Sequence, residues 1–593
     1  MNEDILKKAR QWTNPQFDEK TRNEIQGLIE RNDEKELTDR FYKDLEFGTG
    51  GMRGIMSSGT NRMNIYTVGK ATQGLADYLL DTYPDARERG VSIAYDSRNN
   101  STDFSREAAR VLAACGIRVF IFPEMRPTPL LSFTVRHLRN RAGIVITASH
   151  NPKEYNGYKV YSPDGAQVTP PADGRIVEYV NKVDIIRDIK RMKYKEGKSQ
   201  GLIVELDTSI ENIYLDKVSE FAKNLERGIE KELAKADRDI KIVYTPLHGV
   251  GITLVPKALE KIKGAVLLCE KEQSVPDGNF PTTPSPNPEE ASALSRAISY
   301  AKMENADMVI ATDPDCDRMG LAVPDENGNF IPLNGNQIGC LFSYLIALAY
   351  KKSGQMPANP VIISTIVSTE LVAEIAGTYG IDVLNVLTGF KYIGEKMLGF
   401  EKQGDRNFIV GFEESYGYLA DTFVRDKDGV IASLLALILV KYSIGEYGSV
   451  LEFLSFLFRK YGMYMEYQKS FTLKGAEGAQ KIKALMQDLR ENPPDSIAGG
   501  KVTVIKDYLF KKVTRCDDDS EEVIDGLPES NVIQFYTDDD IKVSVRPSGT
   551  EPKIKFYFAL KMPVSGSTEE TNSLLKEKAV RVSDEVFRRC GLL

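Results

Sequence analysis

The stretch AGIVITASHNPKEYNGYK, residues 142–159, begins as an apolar strand and ends as a polar loop. Between Ile146 and Lys159 it places a serine, a histidine, two asparagines, a proline and two lysines within fourteen positions. A short β-branched run ahead of such a loop reads as a buried strand, and the flanking segments supply the rest of the pattern. YTVGKATQGLADYLLDTY reads as a helix, VSIAYDSR as a strand, FSREAARVLAACG as a helix and RVFIFP as a strand. Strands alternating with helices predict an α/β unit. In open sheets of this kind ligands lie beyond the carboxyl ends of the strands, which is where Ser149 falls.

The alternation starts again at IKIVYTPLHGVG (240–251), passes through GAVLLCE and reaches ADMVIATDPDCDR from residue 306. A third round holds NPVIISTIV, IDVLNVLTG and RNFIVGFEES, followed by an apolar helix after Gly429. From about residue 462 the texture changes to alternating polar and aromatic strands, with helices predicted at KIKALMQDL and over the last 25 residues. The predicted fold class is α/β: three similar mixed α/β domains plus a C-terminal α+β domain around a central cleft. The boundaries are drawn at 1–205, 206–335, 336–460 and 461–593, with no Gly/Ser-rich or Pro-rich linker to mark them.

Composition narrows the function classes. A chain of 593 residues exceeds a single core, and 42% apolar with 27% charged residues is a globular balance. The longest apolar run, Val430 to Val440, has eleven residues. That is short of the roughly eighteen that would span a bilayer, so it reads as a buried helix and no membrane partner is expected. The start, MNEDILKKARQW, has neither a signal-peptide core nor the acid-poor character of a transit sequence, which predicts a cytoplasmic location. Six cysteines without a CxxC pair suit reduced thiols and suggest no zinc site. With 77 Lys+Arg against 85 Asp+Glu there is no global field for nucleic acid, and an anionic ligand must be held by a local cluster.

Four loops carry chemistry. Ser149, before His150, Asn151 and Pro152, stands at a strand end where a nucleophile would be presented; the alternative is a turn that favours Ser and Asn for its own reasons. No G-x-S-x-G surrounds it, which disfavours a serine hydrolase. In ATDPDCDRMG the carboxylates Asp313, Asp315 and Asp317 alternate just past an apolar strand. So many close charges repel unless a cation offsets them, and oxygen ligands suit a hard ion such as Mg²⁺, the alternative being a solvated acidic turn. A calcium EF-hand fails, because its glycine position holds Arg318 and its glutamate position holds Pro324. GFEESYGY (411–418) ends a third strand with Glu413, Glu414 and Ser415, and adjacent glutamates point apart, so hydroxyl recognition fits better than a glycosidase pair. VSVRPSGTEPKIKFYF is a strand, a tight turn and a strand; Arg546, Ser548, Gly549 and Thr550 make a phosphate cradle there, or else an ordinary hairpin turn. FGTGGMRG (47–54) matches neither a dinucleotide fingerprint nor a P-loop, yet Arg53 on a glycine turn is a credible anion contact.

TASHNP, DPDCDR, GFEES and RPSGTEP, in that order, resemble the motifs of the α-D-phosphohexomutases, the family of phosphoglucomutase and phosphomannomutase. The resemblance covers essentially the whole chain, and FGTGGMRG and FPTTPSPNPEE place it nearest the phosphoglucomutase and phosphopentomutase branch. It implies that Ser149 carries a phosphoryl group, that Asp313, Asp315 and Asp317 bind one Mg²⁺ with the phosphoserine as a further oxygen, and that Lys159 is a general base. By the same resemblance Arg53 and His150 surround the reacting phosphoryl group, and Arg318 follows the metal loop. Glu413 and Ser415 would hold sugar hydroxyls, helped by Thr388 and Gly389, and Lys427 would be a further contact. Arg546, Ser548, Gly549 and Thr550 would take the non-reacting phosphate. The implied reaction interconverts glucose 1-phosphate and glucose 6-phosphate through glucose 1,6-bisphosphate, which also serves as activator. Relatives that act on both mannose and glucose phosphates often read GEMSGH where this chain reads FEESYGY, which favours glucose. Alternatives are a pentose or mannose phosphate substrate, a bisphosphate synthase, or a non-catalytic sugar-phosphate sensor. A sensor would need neither nucleophile nor metal. The expected state is a monomer or homodimer with small-molecule partners only.

Overall fold

The computed structural model describes residues 3–48, 50–473, 475–548 and 553–593. The strand before the serine loop runs from Ala142 to Ile146 and is buried along its length. It lies in a sheet of six strands, ordered Gly51–Ile55, Tyr155–Tyr161, Ala142–Ile146, Val91–Tyr95, Val119–Ile121 and Ile203–Glu205. The last four of these are mutually parallel, and Tyr155–Tyr161 returns antiparallel along Ala142–Ile146. Helices cover both faces, which is why these strands are continuous apolar runs rather than alternating ones.

The next two sheets repeat that plan. One orders Phe330–Leu333, Met319–Pro324, Met308–Thr312, Ile240–Thr245 and Ala265–Cys269, with the last three parallel and Met319–Pro324 antiparallel to Met308–Thr312. The other orders Asp382–Val386, Pro360–Thr365, Asn407–Glu413 and Gly417–Leu419, with the first three parallel and the last antiparallel. In each unit the loop singled out from sequence joins a parallel strand to its antiparallel neighbour. The polar residues thus sit at the carboxyl end of a buried strand and are held from both sides.

The C-terminal sheet has eight strands, antiparallel in every pair, from Met463–Thr472 to Lys553–Met562. Ile554, Phe556, Phe558 and Leu560 face a core shared with Ile482, Met486 and Val582 of the helices Gly475–Glu491 and Thr568–Arg589. Alternate positions on the same strand, Lys553, Lys555 and Tyr557, take the opposite face. The turn residues 549–552, including the phosphate-cradle candidates Gly549 and Thr550, lie outside the described residues.

The apolar run after Gly429 forms the helix Gly429–Tyr447, which is apolar on every side and packs against strands of both the second and third sheets. Among the described residues it is the one helix long and apolar enough to cross a bilayer, and it is 78% buried inside the protein. Its N-cap, Asp428, accepts from Val430 N (2.9 Å) and Ile431 N (3.0 Å) and holds its start beside the metal loop, where Gly429 N donates to Cys316 O (3.1 Å). The N-terminal helices Glu3–Gln11, Glu19–Glu30 and Glu34–Phe41 build a core of their own, in which Trp12, Phe17 and Phe41 close over Tyr66. The spacing of Ile5, Ala9 and Trp12 signals an amphipathic helix, but not which core its apolar face joins.

Candidate active site at the strand ends

Ser149 follows its strand in a left-handed backbone conformation, φ +51°, and is 3% exposed. Its amide donates to Thr147 Oγ1 (2.8 Å) and its hydroxyl donates to Asp313 Oδ2 (2.6 Å), a carboxylate of the second unit. His150 Nδ1 lies 3.2 Å from the same hydroxyl. Burial, with Arg318 and Arg53 nearby, holds that imidazole well below its usual range and therefore neutral. Arg53, on the edge strand opposite Gly157, donates to Asn151 Oδ1 at 2.8 Å.

Asp313, Asp315 and Asp317 are all buried, and one oxygen from each lies within 4.8 Å of the others. Asp313 Oδ1 accepts from the amides of Asp317 (3.1 Å) and Arg318 (3.0 Å), so the loop wraps its own first carboxylate. Asp315 Oδ2 accepts from Thr128 Oγ1 (2.9 Å) and Lys159 Nζ (2.8 Å); Asp317 Oδ2 takes Lys159 Nζ (3.2 Å) and Lys427 Nζ (3.1 Å). Asp315 Oδ1 and Asp317 Oδ1 are buried without a hydrogen-bond partner among the described residues. An all-oxygen set with orphaned, inward carboxylate atoms fits a hard divalent cation.

Charge here is set by burial against neighbours. Burial, then Asp315 and Asp317, pushes the Asp313 carboxyl well above the usual range. Burial works the same way on Asp317, but Lys159, Lys427 and Arg318 outweigh it and hold it ionised. Burial would neutralise Lys159, yet Asp315 and Asp317 win and keep its ammonium above the ordinary lysine range. In this arrangement Lys159 is a cation between two carboxylates. Arg318 pairs with Glu289 and leaves a buried Nε unpartnered among the described residues.

The sugar-loop candidates converge from the third unit. Glu413 is 5% exposed and accepts from Gly389 N (2.8 Å). Burial, opposed by Lys427 and reinforced by Glu414, pushes it up to about 7. Thr388 Oγ1 is buried and unpartnered among the described residues, and Ser415 is half-buried on the turn beside Glu413. The third and second units touch here: Arg318 bridges to Gly417, and Met319 N donates to Tyr416 O (3.0 Å). Gly417 is needed for packing, since a Cβ would lie 2.2 Å from Lys427 Cδ. Lys427 Nζ also reaches Asp426 (3.2 Å) and sits 5.5 Å from the centre of the Phe390 ring.

The structure therefore gathers Ser149, His150, Lys159, the three aspartates, Arg318 and Lys427, with Glu413, Thr388 and Gly389 beside them. Arg546 ends the strand Ile541–Pro547 opposite Lys555, and Ser548 N donates to Lys553 O (2.7 Å). Glu414 and Glu289 of the other units act on the charge of Lys555, and Glu414 and Glu413 on that of Tyr557, so this face lies near the sugar-loop candidates. Sequence reading missed Thr128, Asp426, Glu289 and Arg98. Thr128 opens the helix Thr128–Leu138 within RPTP, Glu289 lies in the proline-rich loop PNPEE, and Asp426 precedes a lysine already singled out; a polar residue amid prolines between strands was the available signal.

Comparison with known proteins agrees with this architecture. Models of phosphoglucomutase/phosphomannomutase alpha/beta/alpha domains I, II and III match residues 44–186, 213–328 and 334–460. The phosphoglucomutase of Staphylococcus aureus (strain MRSA252) is 37% identical over 542 residues, 91% of this chain and 94% of that protein. The phosphoglucomutase of Staphylococcus haemolyticus (strain JCSC1435) is 37% identical over 527 residues, 88% of this chain and 91% of that protein. In fold, the chain is similar to the parafusin phosphoglucomutase of Paramecium in its open form (TM-score 0.65, 16% identity, 93% of this chain and 95% of that one). It is also similar to a phosphoglucomutase/phosphomannomutase family protein of Burkholderia thailandensis (TM-score 0.59, 18% identity, 92% and 96%). Three consecutive domain matches, near full-length relatives and loops that meet at one cleft place the chain in the phosphoglucomutase/phosphomannomutase family.

Proposed function

We propose that this enzyme interconverts glucose 1-phosphate and glucose 6-phosphate through a phosphoserine at position 149 and a glucose 1,6-bisphosphate intermediate. The reading is carried by the Ser149 hydroxyl, buried at a strand end, 2.6 Å from a carboxylate of a triad that still has free oxygens. Asp313, Asp315 and Asp317, with an oxygen of the phosphoserine, would hold Mg²⁺. When bound, that ion supplies positive charge beside the phosphoryl oxygens.

In the first half-reaction the bond from phosphorus to Ser149 Oγ breaks as one forms to the free hydroxyl of the sugar monophosphate, whose proton leaves. In the second, the sugar lies the other way round, its original phosphoryl group passes to Ser149 Oγ, and the phosphoenzyme is restored. We assign Lys159 Nζ as the proton acceptor: paired with Asp315 and Asp317 alone it is already a cation, so it would act as a base only when those carboxylates are taken up by Mg²⁺ and the ammonium gives up its proton. Arg53 and His150 flank the reacting group, and Arg318 and Lys427 supply fixed charge. Glu413 and Ser415 accept and donate to sugar hydroxyls, with the orphaned Thr388 Oγ1 and the Gly389 turn beside them. Arg546 and Ser548, with Gly549 and Thr550, bind the phosphate that is not reacting. The FEESYGY loop offers no histidine, which supports glucose over mannose. A cytoplasmic location belongs to the same reading, supported by six free cysteines, and the expected state is a monomer or homodimer.

The test is a panel of the 1-phosphates of glucose, mannose, ribose and deoxyribose, assayed with Mg²⁺ and a bisphosphate activator on the parent and on Ser149→Ala. The expected result is highest kcat/KM on glucose 1-phosphate, a phosphoryl adduct by intact mass on the parent alone, and no turnover in the mutant. Preference for a pentose or for mannose overturns the substrate, and an active Ser149→Ala overturns the nucleophile.

A further inference from the structure

Phe280, which opens FPTTPSPNPEE, meets Arg98 in the loop that follows the strand Val91–Tyr95, and TPLHGVG packs behind that segment. The Arg98 side chain is fully buried, and its two Nη atoms donate to backbone carbonyls of the serine loop. Nη2 donates to Ser149 O (2.5 Å) and to Asn151 O, and Nη1 donates to Pro152 O (2.9 Å) and Tyr155 O (3.1 Å). Asp96 lies 3.3 Å from Nε as its counter-ion and is itself fixed by Arg98 N (2.9 Å) and Ser101 Oγ (2.7 Å). A buried arginine whose Nη donors are spent on carbonyls around a left-handed serine holds a backbone shape, since those carbonyls lie on one loop and no apolar side chain could bind them.

The other side of the guanidinium belongs to the second unit. The Phe280 ring stacks over it, 4.9 Å from centre to Cζ, and Asn99 Nδ2 donates to Asn279 Oδ1 (3.1 Å). Gly278 permits the approach, because a Cβ there would lie 2.3 Å from Asn99 N. That segment is pinned by His248, whose Nδ1 donates to Val275 O (2.8 Å) while Nε2 accepts from Thr282 Oγ1 (2.9 Å). The next residues of the histidine loop back the metal loop: Val250 N donates to Pro314 O at 2.9 Å. Nucleophile and carboxylates, which come from different units, are thus registered through one guanidinium.

We propose that Arg98 is a positioning residue for the phosphoryl-carrying serine, fixing the 149–155 loop so that Ser149 Oγ stays at the carboxylates of the second unit, with Phe280 as its seat. This rests on the reading of Ser149 given above. Arg98→Met and Arg98→Lys are compared with the parent and with Ser149→Ala for kcat, KM and loss of phosphate from the phosphoenzyme to water. A displaced nucleophile lowers kcat roughly tenfold to hundredfold, with KM nearly unchanged and a larger share of phosphoryl lost to water. Lysine does not restore kcat, because one ammonium cannot span these carbonyls; in Arg98→Ala, added guanidinium ion restores part of it. Phe280→Leu, which keeps most of the volume, gives the same pattern more weakly and decides the matter if the Arg98 variants do not fold. A folded Arg98→Met at parent kcat, a change confined to KM, or Phe280→Leu at parent kcat overturns the proposal. If Ser149→Ala is inactive while Arg98→Met is normal, only this inference falls; an active Ser149→Ala removes the nucleophile reading and the inference with it.

Discussion

Ser149 occupies a backbone region that costs a non-glycine residue about 1–2 kcal/mol, and the surrounding bonds must hold it there. The aspartates beside it are a second store of unfavourable energy, since buried like charges raise one another's proton affinity. A cation that binds only the folded protein relieves that repulsion, so Mg²⁺ should raise the unfolding temperature of the parent. At a hundredfold excess over its dissociation constant the gain is about 2.7 kcal/mol. Asp315→Asn removes one ligand charge and should abolish most of this Mg²⁺-dependent shift in a thermal melt; an undiminished shift would place the ion elsewhere. These residues were legible in the sequence because chemistry-bearing types cluster at strand ends in unusual density. Arg98 was not, because its partners are carbonyl oxygens, and a carbonyl has no letter in the sequence.

The turn from a parallel strand into an antiparallel one is the element that makes the site, and it depends on close backbone approach. Gly249 shows why: its φ is −93°, which any residue adopts, but a Cβ would lie 2.4 Å from Pro314 Cα in the metal loop. Gly249→Ala should therefore destabilise the protein by about 1–3 kcal/mol and lower activity by moving the metal loop. An unchanged denaturation midpoint would mean that the loop has room. The strand Met463–Thr472 carries a different burden. Glu466 Oε1 is buried and unpartnered among the described residues, and burial pushes the carboxyl up to about 7, against the opposing pull of Thr369 and Lys542. The folded protein keeps a proton there that the unfolded chain gives up at the ordinary glutamate value of 4.5, so stability falls as pH rises between these values. Glu466→Gln should be more stable than the parent by on the order of 2–3 kcal/mol at about pH 8.5, with the difference vanishing near about pH 4.5. Urea titrations at both pH values check it, and a pH-independent difference would rule out the carboxyl as the cause. Strands and helices were readable from their periodicity, as in Ala142–Ile146 and Gly429–Tyr447. The spatial order of strands, and the separate core under Trp12, were not, because both depend on contacts between distant segments.

The proposed reaction also asks for something no single unit supplies, since Arg546, the proposed phosphate contact, and Ser149, the proposed nucleophile, lie in different units. The C-terminal sheet rests on the loop after Pro360–Thr365: Gln534 Nε2 donates to Ile366 O (2.7 Å), and Lys542 Nζ reaches Ser368 O (3.4 Å) and Glu370 (3.2 Å). The same loop supports the sugar site, because Glu414 Oε2 accepts from Thr365 Oγ1 (3.1 Å) and Ser368 Oγ (3.3 Å). The C-terminal sheet and the GFEES loop thus rest on one segment, so in the proposed reading grip on the non-reacting phosphate is tied to grip on the ring. Arg546 is the fork at the end of that path. Its planar guanidinium can match two phosphate oxygens at once, whereas lysine keeps the charge and loses the second contact. Arg546→Lys should therefore weaken substrate binding by on the order of 1.5–3 kcal/mol, a roughly tenfold to hundredfold rise in KM. In the proposed cycle the bisphosphate must rebind in the reverse orientation between the two half-reactions, and a weaker grip on its non-reacting phosphate favours escape. The mutant should accordingly release glucose 1,6-bisphosphate into solution more often per turnover. Steady-state kinetics combined with an assay for free bisphosphate decides it: KM and release both at parent values would show that Arg546 serves the hairpin and not the substrate.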